Sequence, residues 1–112
     1  MKLFVYGTLT DEEFLHRKTN RKLGYFKIVD AELPNFKRTS SITIRKEKNY
    51  NVKGKLILNI DFKDIIILDE YEGCSTENPL SKHNMYIRKE ESVINLENGR
   101  KLEKSHVYLY NE

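Results

Sequence analysis

Cysteine is all but missing from this chain of 112 residues. Cys74 stands alone, so no intrachain disulfide framework can form and no thiol cluster suggests a metal. The three histidines, His16, His83 and His106, lie far apart without ligand spacing and read as surface or packing residues. The expectation is a protein without metal or cofactor in a reducing, cytoplasmic setting. No apolar stretch approaches the ~18 residues of a membrane span, and no charged-then-apolar leader precedes the strand-like run that begins at Lys2. A phosphate-loop lysine and a dinucleotide glycine triplet are both lacking, which argues against a nucleotide site. Charge of one sign is lacking as well: 20 Lys and Arg against 17 Asp and Glu leave +3, too little to imply nucleic acid by itself. Internal repeats, low-complexity tracts and linkers are absent, so one domain spanning residues 1–112 is expected. Nothing in the sequence sets an oligomeric state.

What is present is a chain whose apolar residues gather into runs, although they make up only 38% of it against 33% charged residues. That patterning favours a folded domain over disorder. The charges are segregated. From Lys37 to Lys55 there are seven basic residues and one acid, Glu47; from Asp61 to Glu77 there are six acids and one base, Lys63.

Lys2 to Tyr6 reads as a short buried strand bounded by Gly7. Thr10 and Glu13 form a capping-box pattern, which predicts a helix from there to about Arg17. A second strand is expected from near Gly24 to Ala31, broken by Leu33-Pro34-Asn35. Ser41 to Arg45 alternates as a third. Tyr50 to Ile60 reads as a fourth, with Gly54 marking a bulge or a close backbone approach. Asp61 suits the cap of a helix ending near Gly73, although Ile65 to Ile67 are β-branched and also fit a strand. Cys74 to Asn84 reads as a loop that could border a site. Met85 to Arg88 and Ser92 to Asn95 look like one strand, followed by a two-residue Asn98-Gly99 hairpin turn and a return strand from Lys101 to Tyr110.

Two stretches carry chemistry. As a helix, Ile65 to Gly73 puts Ile65, Leu68 and Glu72 on one stripe, so Glu72 extends a buried face. A carboxylate in apolar surroundings has a raised pKa, as a general acid or base near neutral pH requires. The plain alternative is a surface carboxylate at a frayed helix end. Asp69, one turn earlier, is the rival; a cap or hydrogen-bond role suits it better, and the two would raise each other's pKa if both faced inward. The second stretch is Tyr6-Gly7-Thr8-Leu9, a glycine turn between strand and helix. It reads either as a cradle whose free N–H groups attract anionic oxygens or as an ordinary tight turn. Tyr86 and Tyr108 read as core or site-lining residues. Cys74, beside the acidic cluster, is a poor nucleophile.

Phe4-Val5-Tyr6-Gly7-Thr8-Leu9 resembles the opening signature of the γ-glutamylcyclotransferase-like family, in its γ-glutamylamine cyclotransferase and avirulence-induced-protein-like branch. Leu68-Asp69-Glu70-Tyr71-Glu72-Gly73 resembles its second signature. Val52 to Leu56, Tyr86-Ile87-Arg88 and Val107-Tyr108 continue the likeness in order along most of the chain. The resemblance implies an α+β fold, a small mixed barrel-like sheet with a few short helices. It also implies intramolecular cyclisation of a small γ-glutamyl compound to 5-oxoproline with release of an amine or amino acid. Glu72 would be the acid/base, and Tyr6, Gly7, Thr8, Leu9, Tyr86 and Tyr108 would bind substrate. One departure stands out: the basic residue often found after the loop is here Thr10. The competing expectation is a non-catalytic module on the same fold, binding a small anion in the pocket or a polyanion on Lys37 to Lys55, where Phe36 and Tyr50 interleave the charges.

Overall fold

The computed structural model describes residues Met1–Glu112. Its elements are β1 (Leu3–Val5), a 3-10 turn at Thr8–Thr10, α1 (Glu12–Thr19), β2 (Ile28–Arg38), β3 (Ile44–Ile57), α2 (Phe62–Glu72), β4 (Tyr86–Asn95) and β5 (Lys101–Tyr110). The five strands close into a barrel in the order β1-β3-β2-β4-β5. Neighbours are antiparallel except β1 and β5, which run parallel, with Leu3 opposite His106 and Phe4 opposite Val107. The result is the α+β fold with a mixed barrel-like sheet.

Because side chains alternate across a strand, the barrel has two apolar faces. Phe4, Leu33, Val52, Leu56, Val93 and Val107, drawn from all five strands, fill the interior. Leu3, Val5, Ile57 and Tyr108 point outward and meet Leu15 of α1 and Ile65 and Leu68 of α2. Gly54 lies where β3 passes β1: a β-carbon there would sit 2.3 Å from the Val5 carbonyl oxygen and 2.7 Å from the Phe4 ring. The expected close approach is found, and the pairing runs through it without a bulge.

Helix α2 forms as its ends direct. Asp61 accepts the Asp64 N–H (3.0 Å) while the Asp64 carboxylate accepts the Asp61 N–H (3.1 Å), and Gly73 takes the left-handed conformation at φ 67° that ends the helix. Arg21 clamps both cap carboxylates, at 2.7 and 2.9 Å. Helix α1 corrects the expected cap. Asp11, not Thr10, accepts the Phe14 N–H, and the Thr10 hydroxyl instead donates to the Gly7 carbonyl (2.6 Å). A 3-10 turn uses up the residues before Asp11.

Other boundaries also differ from expectation. Strand β2 begins at Ile28 rather than Gly24 and continues through Pro34, because the register shifts between Pro34 and Phe36 while Asn35 takes φ 64°. A bulge tolerates a residue that has no N–H. The third and fourth strands are one, β3, since Arg45 and Lys46 pair with Lys37 and Phe36 on the same long hairpin that carries Val52 opposite Leu33. Asn98-Gly99 belongs to a five-residue connection between paired Asn95 and Lys101, with Gly99 and Arg100 both at positive φ, and not to a two-residue turn. No helix is long and apolar enough to cross a membrane.

Candidate active site

The last turn of α2 carries Glu72 past the buried Ile65 and Leu68 on the same stripe, to the wall of a cavity of about 270 Å³. Across it stand Gly7, Thr8 and Leu9, with Tyr6, Tyr86 and Tyr108 completing the set named from sequence. Glu72 is the only charged side chain lining this space. Burial raises its pKa from 4.5 to about 7, with no basic neighbour opposing the shift and no contribution from Asp69. A carboxyl poised at neutrality with no partner of its own can both take and return a proton.

The loop opposite is built by the 3-10 turn. The N–H groups of Thr10 and Asp11 close it onto the carbonyls of Gly7 and Thr8, at 3.0 and 3.1 Å, which leaves the preceding amides of Gly7, Thr8 and Leu9 without a backbone acceptor. The tyrosine hydroxyls are committed elsewhere. Tyr6 donates to the Tyr108 carbonyl, Tyr86 to the Ile42 carbonyl at 2.9 Å and Tyr108 to Asp69 at 2.6 Å, while the Tyr71 hydroxyl bonds that of Thr8 at 3.1 Å. Burial raises the pKa values of Tyr6, Tyr86 and Tyr108, keeping these phenols neutral donors.

Asp69 takes the hydrogen-bonding role. It is fully buried and accepts from Arg88 Nε (2.9 Å) and Nη2 (3.2 Å), from Tyr108 and from Thr76 (2.8 Å). Asp69 is held in its own ion pair with Arg88, and burial alone raises the pKa of Glu72. Loop 74–84 sits behind this pair, with Thr76 on Asp69 and the Pro79 carbonyl on the Arg88 N–H (3.0 Å), and does not line the cavity. The rim is supplied instead by Ile42, Tyr71 and Met85. Tyr71 and Met85 adjoin named residues in sequence; Ile42 arrives only through the fold, and nothing local marks it.

The remaining candidates take structural places. Burial, then the Asp69 charge, pushes the Cys74 thiol up to about 11. His16 packs against Phe26 with its ring centroid 5.2 Å away, and His106 bonds Arg88 through Nδ1 at 3.2 Å. No cluster of His, Cys, Asp and Glu is arranged to hold a metal ion. On the basic hairpin, Phe36 is buried in the barrel and cannot stack on a base, while Tyr50 is half exposed with Lys37 over its ring at 4.6 Å.

The fold agrees with the comparisons. A solution structure from Arabidopsis thaliana superposes with a TM-score of 0.76 at 23% identity, covering 97% of this chain and 67% of that one. A structure described as a gamma-glutamyl cyclotransferase gives 0.72 at 22% identity, covering 98% and 66%. An uncharacterized Homo sapiens protein gives 0.73 at 23% identity, covering 99% and 66%. The chain thus spans about two thirds of the length of these structures, and a second Arabidopsis thaliana structure is spanned over 61%. No curated protein sequence matches it. The family model described as "Gamma-glutamyl cyclotransferase, AIG2-like" matches residues 3–112, and the chain belongs to that family.

Proposed function

We propose that the protein is a γ-glutamyl cyclotransferase in which Glu72 is the general acid/base. The observation that carries this reading is a lone, burial-raised carboxyl in an apolar cavity, opposite a loop of unpaired amides. The α-nitrogen of a γ-glutamyl compound attacks its own side-chain carbonyl carbon. Glu72 takes a proton from the attacking nitrogen and returns it to the leaving nitrogen as the amide bond breaks, yielding 5-oxoproline and a free amine or amino acid. No water and no cofactor enter the balance. Ring closure is intramolecular, so holding the folded conformer contributes about 7 kcal/mol or more. The amides of Gly7, Thr8 and Leu9 hold substrate oxygens, and the rings of Tyr6, Tyr86 and Tyr108 shape the walls.

Incubating the protein with γ-glutamyl amines, peptides and amino acids and measuring 5-oxoproline tests the reading. Equal turnover by Glu72→Gln would sink the assigned role. The competing reading, a polyanion-binding face at Lys37 to Lys55, predicts salt-sensitive retention on single-stranded nucleic acid that disappears when Arg45, Lys46 and Lys48 are neutralised.

A further inference from the structure

The free N–H groups of Gly7, Thr8 and Leu9 each belong to a peptide whose carbonyl is bonded on the other side of the loop. A planar trans peptide points its N–H and its C=O in opposite directions, and the chain has no cis bond. The Thr8 carbonyl, paired with the Leu9 N–H, accepts from the Asp11 N–H. The Gly7 carbonyl, paired with the Thr8 N–H, accepts from the N–H and the hydroxyl of Thr10. The Tyr6 carbonyl, paired with the Gly7 N–H, accepts from Arg38 Nη2 at 2.9 Å. Of these donors only Arg38 is charged.

Arg38 ends β2 and stands outside the cavity, in a separate concavity with Asp30, Glu32, Lys53 and Lys55. Its charge is not neutralised there. Asp30 pairs with Lys55, Glu32 accepts from Asn51 at 3.2 Å and lies 3.9 Å from Arg100, and Arg38 pairs with no carboxylate. The guanidinium instead bridges the Tyr6 carbonyl and that of Ser41 (3.2 Å) on the hairpin tip. Its field reaches the cavity wall: burial raises the pKa of Tyr6, and the Arg38 charge opposes that rise. A cation bonded to a peptide carbonyl polarises the peptide and strengthens the N–H on its far side. A γ-glutamyl group brings a carboxylate into a cavity whose only charged side chain is Glu72. Resting on the cyclotransferase reading above, we infer that Arg38 is a positioning residue that supplies the positive charge for this carboxylate from outside the cavity, through the Tyr6–Gly7 peptide.

The test compares the unaltered protein with Arg38→Lys, which keeps the charge, and Arg38→Gln, which removes it. Calorimetry at pH 6, below the Glu72 titration, gives the affinity for 5-oxoproline and for its carboxamide, which has the same ring without the charge. The unaltered protein and Arg38→Lys should bind 5-oxoproline more tightly than the carboxamide, and Arg38→Gln should lower that preference about threefold or more. A clamp that merely held the loop to the hairpin would weaken both compounds alike and leave the ratio unmoved. An unchanged ratio in Arg38→Gln, an equal fall in Arg38→Lys, or no measurable binding of 5-oxoproline to the unaltered protein would overturn the inference. A ratio that follows the charge at position 38, with no 5-oxoproline released from any γ-glutamyl compound, would leave the role of Arg38 standing and overturn the cyclotransferase reading instead.

Discussion

Glu72 is held in the folded protein at a cost. Its pKa is raised from 4.5 to about 7, so the folded state binds the proton more tightly than the unfolded chain. The stability this confers is fully present below about pH 4.5 and is lost as pH rises through about 7. Glu72→Gln should therefore unfold at higher denaturant than the parent at pH 8, by up to about 3 kcal/mol, with the difference vanishing near pH 4. The same substitution should lower 5-oxoproline formation by about 10²- to 10⁴-fold, and in the parent kcat/KM should rise with an apparent pKa near 7. A variant more stable and less active is the signature of a residue kept for function. Asp69 is the opposite case. Asp69→Asn leaves the Arg88 guanidinium buried without its counter-charge and should cost about 3–5 kcal/mol, whereas Arg88→Met added to it should recover part of that loss in a double-mutant cycle. Sequence spacing left both carboxylates able to face inward, and the family resemblance is what singled out Glu72. It could not say that Arg88, nineteen residues on, neutralises Asp69.

At the scale of elements, what was legible were the local devices. Asp61 and Gly73 bound α2 because a cap and a left-handed terminator act through hydrogen bonds within a turn or two of chain. Strands were legible in kind and less so in extent. Pro34 breaks a regular strand by its missing N–H, but a bulge at Asn35 absorbs the defect, and only the partner β3 can supply one. The Thr10 pattern failed for a local reason: Asp11 offers a competing cap one residue later. Gly54 is the element-scale position most open to test. Any β-carbon there collides with the backbone of β1 as well as with the buried Phe4 ring, so Gly54→Ala should destabilise by about 1–3 kcal/mol or more, read as a lowered melting temperature, while Gly7→Ala, whose β-carbon would lie 3.8 Å from its nearest neighbour, should leave the melting temperature largely unchanged.

The whole molecule closes through its ends. β1 pairs with β3 and, in parallel, with β5, so the barrel is complete only when Leu3 and Phe4 meet His106 and Val107. Contacts so distant in sequence must be reached before they are rewarded, and folding should accordingly be slow, in milliseconds to seconds by stopped-flow. Replacing Phe4 with Ala should remove a fully buried ring from the barrel interior and cost about 3–5 kcal/mol, seen as a shifted denaturation midpoint.

The same closure assembles the cavity, whose lining runs from Phe4 to Tyr108. The sequence by itself determined two things, the buried stripe of α2 that Glu72 extends and the glycine turn from Tyr6 to Leu9, because helical spacing, caps and turn residues act over a few residues. Only the tertiary structure decided that the two face one another, that Ile42 and Met85 form the mouth, and that no cation shares the space with Glu72. Those are facts about distances between segments, set by which strands pair and which faces pack, and no local pattern encodes them.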